Sequence, residues 1–142
     1  ILLFPNRARG LLLPQVSCLP HHRHMPSCLE TSEYLSHQKN LLHKGYTLLD
    51  RNYRFQKAEV DLIFKDGSQL VFVEVKTRES SYLVEPRLLI SRSKQKQIVK
   101  ASDFYLKDKE LDLESRFDVV IIVLNSTEKS LNHIANAFTP IG

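Results

Sequence analysis

Apolar positions along this chain keep no regular period before about residue 30 and a clear one after it. Residues 31–44 predict a helix, with Thr31 or Ser32 as its cap and Leu35, Leu41 and Leu42 among its apolar positions. Gly45 stands where a helix end expects it. YTLLDRNYRF, residues 46–55, then reads as a strand. Residues 58–64 and 69–77 give two more, joined around Asp66-Gly67, a strong hairpin signal. From Ser91 to Lys107 the helical period returns, with Ile98, Ala101, Phe104 and Tyr105 as the buried stripe. RFDVVIIVL is a nearly continuous apolar strand of the kind covered on both faces, and SLNHIANAF predicts a short edge strand. Helix, three strands, helix, strand, strand is the order of a mixed α/β domain around a central sheet.

Composition changes the picture most at the start. Both cysteines, Cys18 and Cys28, lie before residue 30, as do Pro5, Pro14, Pro20, Pro26 and the HHRH cluster. Prolines at that density break any element that starts, so residues 1–29 are expected to be a disordered or adventitious extension, with the domain over residues 30–142. The opening ILLFPNRARGLLLP is interrupted by Asn6, Arg7 and Arg9 and does not read as a signal peptide. Cys18, His21, His22, His24 and Cys28 fit no familiar zinc spacing. Two cysteines do not make a disulfide scaffold, and a cytoplasmic location is the simple expectation. Across 142 residues, 42% are hydrophobic and 25% charged, with a net charge of +4, which permits an anionic partner such as nucleic acid without demanding one. No run of about 20 apolar residues predicts a membrane span.

The candidate chemistry lies in EVDLIFKDGSQLVFVEVKT, residues 59–77. With Asp66-Gly67 as the two central turn residues, Ile63 pairs with Leu70 and Asp61 with Phe72. Glu59, Asp61 and Ile63 then share a face with Leu70, Phe72, Glu74 and Lys76. Val60, Leu62, Phe64, Val71, Val73 and Val75 form the other face, which carries no charge. Asp61 and Glu74 become diagonal neighbours, roughly 7–8 Å apart at the backbone, and Glu59 lies opposite Glu74. Two carboxylates at that spacing can share a hard divalent cation, Mg²⁺ or Mn²⁺. Lys76, one alternation on, can orient a water or offset charge on a phosphate. A solvated sheet face is the ordinary alternative, but Ile63, Leu70 and Phe72 on the same face imply that it is at least half covered.

These residues also carry a resemblance. Asp61 followed at a distance by Glu74-Val75-Lys76 resembles the D…ExK signature of the PD-(D/E)XK nuclease superfamily. GYTLLDRNYR, AEVDLIFKDGSQLVFVEVKTR, SKQKQIVKASDFYL and RFDVV are together similar to the YraN-like predicted endonucleases, a group related in fold to Holliday junction resolvases. The similarity covers about residues 41–138. It implies a restriction-endonuclease-like αβββαβ core, Asp61 and Glu74 as metal ligands, and Lys76 as the catalytic lysine. It also places Glu59 in the acidic block as a further candidate metal ligand, with Ala58 where the family has glycine, and matches Lys94 and Asp118 to positions of less defined role. The family's first helix carries a glutamate facing the metal. Here Glu33 is the residue that could stand in, although no glycine precedes it and it lies one residue farther from Gly45. The alternative is that the segment before Leu41 derives from an altered reading frame.

Arg92, Lys94, Lys96, Lys100 and Lys107 make the second helix basic, which suits either a solvated face or contact with phosphates. Arg78 continues the basic character after the ExK residues. Asp118, opening an apolar strand, needs a partner, a helix end or an arginine such as Arg116, and is expected near the site as a supporting residue. His133 lies alone in its strand pattern. The resulting expectation is a Mg²⁺- or Mn²⁺-dependent endonuclease acting on DNA, with branched and single-stranded forms both open. The alternative is a non-catalytic nucleic-acid-binding module on the same scaffold. Related junction-cutting enzymes work as dimers, which leaves a homodimer open here.

Overall fold

The computed structural model describes residues 32–80, 85 and 88–140. Its elements are α1 (Ser32–His43), β1 (Thr47–Phe55), β2 (Ala58–Asp66), β3 (Gln69–Arg78), α2 (Arg92–Asp108), β4 (Glu114–Leu124) and β5 (Lys129–Phe138). The strands form one sheet in the order β1-β2-β3-β4-β5, antiparallel throughout except for the β3·β4 pair. A parallel pair needs a crossover, and α2 supplies it. This is the expected αβββαβ order with a fifth strand added at the edge. The expected extension over residues 1–29 lies outside the described residues.

Both faces of the sheet are covered. Ile63, Leu70, Phe72, Phe117 and Val119 pack with Ile98, Ala101 and Tyr105 of α2. Leu62, Phe64, Val71, Val73, Val75, Val120 and Ile122 pack with Leu41 of α1. Alternation along β3 explains the division, with Leu70 and Phe72 on the α2 side and Val71 and Val73 on the α1 side. Val60 departs from its expected set and joins the α2-side cluster with Ala58.

Local signals fix the helix ends. Tyr46 donates its N–H to the Leu41 carbonyl and Gly45 to Leu42, with Gly45 at φ +90°, a Schellman closure of α1. Ser91 caps α2 by accepting the Lys94 N–H at 3.2 Å. The expected apolar stripes are only partly buried. Leu35 and Leu42 are exposed and Gln38 is buried beside Leu41, because α1 meets the sheet along a narrow strip. Phe104 is also exposed, stacked on Phe55 at 4.1 Å at the sheet margin. Among the described residues no helix is long and apolar enough to cross a membrane.

Candidate active site

The hairpin turn differs by one residue from the expected one, and the difference shapes the site. Asp66 pairs with Gln69, which leaves Gly67-Ser68 as the central residues. Gly67 at φ +57° takes the first central position, as a type II′ turn requires. Ile63 therefore faces Phe72 and Leu62 faces Val73. Partners move by two along β3, so Ile63, Leu70 and Phe72 stay on one face and Leu62, Phe64, Val71 and Val73 on the other, with Val60 the exception. Continued one step past its last pair, Leu62 with Val73, this register sets Asp61 across from Glu74 instead of diagonal to it, and Glu59 farther away.

The β2·β3 ladder stops at Leu62–Val73. Beyond it β2 stays paired with β1 as far as Ala58, and β3 stays paired with β4 as far as Arg78. The two strands fork, and the fork holds the charged residues. Asp61 bridges it, its Oδ2 accepting the Val75 N–H at 2.6 Å in place of a ladder carbonyl. Burial, and then the neighbouring Glu74, push the Asp61 carboxyl up to about 6. Glu74 is buried at 5% exposure, on the side of the sheet covered by α2. Its Oε1 pairs with the Lys76 ammonium at 2.9 Å. Its Oε2 is buried without a hydrogen-bond partner.

Asp61, Glu74 and Lys76 thus come together as the sequence predicts. Glu59 does not join them with its side chain, which pairs with Arg54 on β1 at 3.4 Å. Its main-chain carbonyl instead accepts the Lys94 ammonium at 3.0 Å. Lys94 is drawn inward, 3.6 Å from Glu74 Oε2, and so belongs to the site instead of the outer surface. Arg92, Lys96 and Lys100 remain exposed and line a groove of about 390 Å³ with Val99, Asp103 and Thr139. Lys100 also donates to Gln56 Oε1 at 3.0 Å. Arg78 ends β3, one alternation past Lys76. The side chain of Glu33 lies outside the described residues.

Asp118 is not in this site. It pairs with Val73 while Glu74 pairs with Val119, so alternation turns the two carboxylates to opposite faces. Asp118 is fully buried on the α1 side. Arg116 forks onto both its oxygens at 3.0 Å, His133 meets Oδ2 at 2.8 Å, and the Asn136 N–H donates to Oδ1 at 2.9 Å. Asn136 has φ +52° where the β4·β5 register shifts, so Asp118 anchors a bulge. Burial alone would raise its pKa, but His133, Arg116 and Asn136 hold it below the usual range. Arg116 continues to Asp66 and to the Tyr46 hydroxyl, both at 3.0 Å. The expected Arg116 partnership holds, whereas His133, read as solitary, is a member of the cluster.

A hard divalent cation suits the fork. Glu74 Oε2 lacks a hydrogen bond and the desolvated Asp61 lies beside it, so the fork offers a cation two carboxylates whose ligand capacity is not used up. Among the described residues no third carboxylate, histidine or cysteine completes a ligand set. Mg²⁺ commonly fills its remaining positions with water and phosphate oxygens.

Residues 36–122 match the model of "Uncharacterised protein family UPF0102". A UPF0102 protein of Christiangramia forsetii is 42% identical over 95 residues, covering 67% of this chain and 80% of that protein. One from Geobacter metallireducens is 43% identical over 94 residues, covering 66% and 77%. One from Desulfosudis oleivorans is 42% identical over 102 residues, covering 71% and 81%. The matched stretch holds the whole hairpin, Lys94 and Asp118 and begins after Glu33, and on that match this chain belongs to the UPF0102 family, that of the YraN-like proteins.

Proposed function

We propose that this chain is a metal-dependent endonuclease that hydrolyses nucleic-acid phosphodiester bonds, with DNA as the substrate. The observation that carries the reading is the fork itself, where a buried Glu74 oxygen without a hydrogen bond faces a desolvated Asp61 beside the Lys76 ammonium. Asp61 and Glu74 would hold Mg²⁺ or Mn²⁺, which when bound supplies Lewis-acid polarisation of the scissile phosphate.

The remaining work falls to the chain's own groups. Asp61 is held at the fork by the Val75 N–H, which fixes its carboxylate in place. Lys76 presents an ammonium on a partly exposed stem, able to orient the attacking water and to offset negative charge on the phosphate oxygens in the transition state. Arg92, Lys96 and Lys100 would contact phosphates, which positions a strand without reading its bases. Little sequence preference is expected.

The test is cleavage of labelled linear, forked and four-way DNA by purified protein in Mn²⁺, Mg²⁺ or EDTA, alongside Glu74→Ala and Lys76→Ala. Metal-dependent cutting lost in both variants supports the reading. DNA binding without cutting under any metal would favour a non-catalytic binding module instead.

A further inference from the structure

Two lysines from different elements close on Glu74. Lys76 of β3 pairs with Oε1 at 2.9 Å. Lys94 of α2 stands 3.6 Å from Oε2 and donates to the Glu59 carbonyl at 3.0 Å. Glu59 belongs to β2 and Glu74 to β3, so this one ammonium spans the mouth of the fork. Lys94 also favours the ionised form of Asp61 across the gap.

With all four groups ionised, Asp61, Glu74, Lys76 and Lys94 carry no net charge. A divalent cation entering this neutral, partly buried cluster would leave it strongly positive, which is unfavourable unless a lysine withdraws or an anion arrives. The two lysines differ in how readily they can leave. Lys76 holds a short ion pair at 2.9 Å, whereas Lys94 meets Oε2 only at 3.6 Å and keeps the Glu59 carbonyl as a partner when Oε2 is taken.

We infer that Lys94 is the built-in counter-cation of the fork, holding β2 and β3 together in the metal-free protein and yielding Glu74 Oε2 to a divalent cation. The inference rests on the nuclease reading, since that reading supplies the cation. Once displaced, the Lys94 ammonium is placed for a phosphate oxygen of the substrate, whose negative charge returns the cluster toward neutrality. Metal and DNA therefore bind with positive coupling.

The experiment is a calorimetric titration of Mn²⁺ into the full chain, into Lys94→Met and into Lys96→Met, each first shown to be folded by circular dichroism. Lys96 carries the same charge two residues on and is exposed, so its removal controls for general electrostatics. The expected result is Mn²⁺ affinity raised at least about fivefold in Lys94→Met and unchanged in Lys96→Met. Lys94→Gln repeats the measurement should the Met variant not fold. Wild-type binding with no gain in the Lys94 variant, or an equal gain in Lys96→Met, overturns the inference and leaves the nuclease reading standing. Absence of Mn²⁺ binding in all of the proteins overturns both.

Discussion

Glu74 and Asp118 lie one register step apart on adjacent parallel strands, with their carboxylates on opposite faces of the sheet. One has an oxygen without a hydrogen bond and the other has four short contacts. A buried anion so fully paired holds structure together, whereas an under-satisfied one is available to a ligand. Asp118→Asn should therefore destabilise the fold by about 1–3 kcal/mol, because it removes the charge-assisted bonds to Arg116 and His133 while Arg116 keeps Asp66. Mn²⁺ affinity of the protein that remains folded should not change. Glu74→Gln should do the reverse. Urea denaturation and Mn²⁺ titration of the two variants check the contrast.

Acid should act through the α1 side first. Burial, then His133 and Lys44, bring the His37 pKa down to about 4. Its neutral form is the native one, so stability falls as pH drops below the free value near 6.5 and levels off near 4. Asp118 adds a loss at lower pH, below the unfolded carboxylate range, where its ion pairs are protonated away. His37→Phe should flatten the upper part of this profile in thermal melts between pH 4 and 7. An unaltered slope would remove His37 from the account.

Asp61 works in the opposite direction. Its carboxyl is pushed up to about 6 by burial and by Glu74, so ionising it costs stability as pH rises from about 4 to 6. The full cost, of order 2–3 kcal/mol, is present above pH 6 in the metal-free protein. Asp61→Asn keeps an oxygen for the Val75 N–H and removes the charge. It should melt higher than the wild type at pH 8 in EDTA, with the gain shrinking at pH 4.5. Added Mn²⁺ should stabilise only the wild type. A variant less stable at both pH values would contradict the desolvated placement of Asp61.

The outer stripe of α2 gives a prediction about salt. If Arg92, Lys96 and Lys100 each neutralise a phosphate, replacing all three by alanine should lower the salt slope of DNA binding by up to about 2.7 in log–log form. Their side chains are exposed, so thermal stability should change little. Binding measured by fluorescence anisotropy across a salt series decides it. An unchanged slope would place the DNA elsewhere.

Much of this was legible in the sequence, and what was not depended on distant contacts. Periodicity gave all seven elements in order, and alternation put Asp61, Glu74 and Lys76 on one face. The register slipped because Asp66-Gly67 is the favoured turn pair locally, whereas Asp66 is held as a strand residue by Arg116, fifty positions away. Lys94 reads as one more lysine of a basic helix, and only the packing of α2 against the sheet brings it to Glu74. His133 reads as solitary in the sequence because its partner Asp118 lies on the neighbouring strand. Leu35 and Leu42 fit a helical stripe, but α1 buries only the strip through Gln38 and Leu41.

The most direct test of the central claim is the nicking of supercoiled plasmid in Mn²⁺ by the wild type and by Glu74→Gln at matched concentration. Nicking by the wild type, abolished by EDTA and reduced at least about a hundredfold in the variant, is the predicted result. Equal nicking by both proteins, or none by either while DNA is still bound, would contradict the assignment of the fork as a catalytic centre.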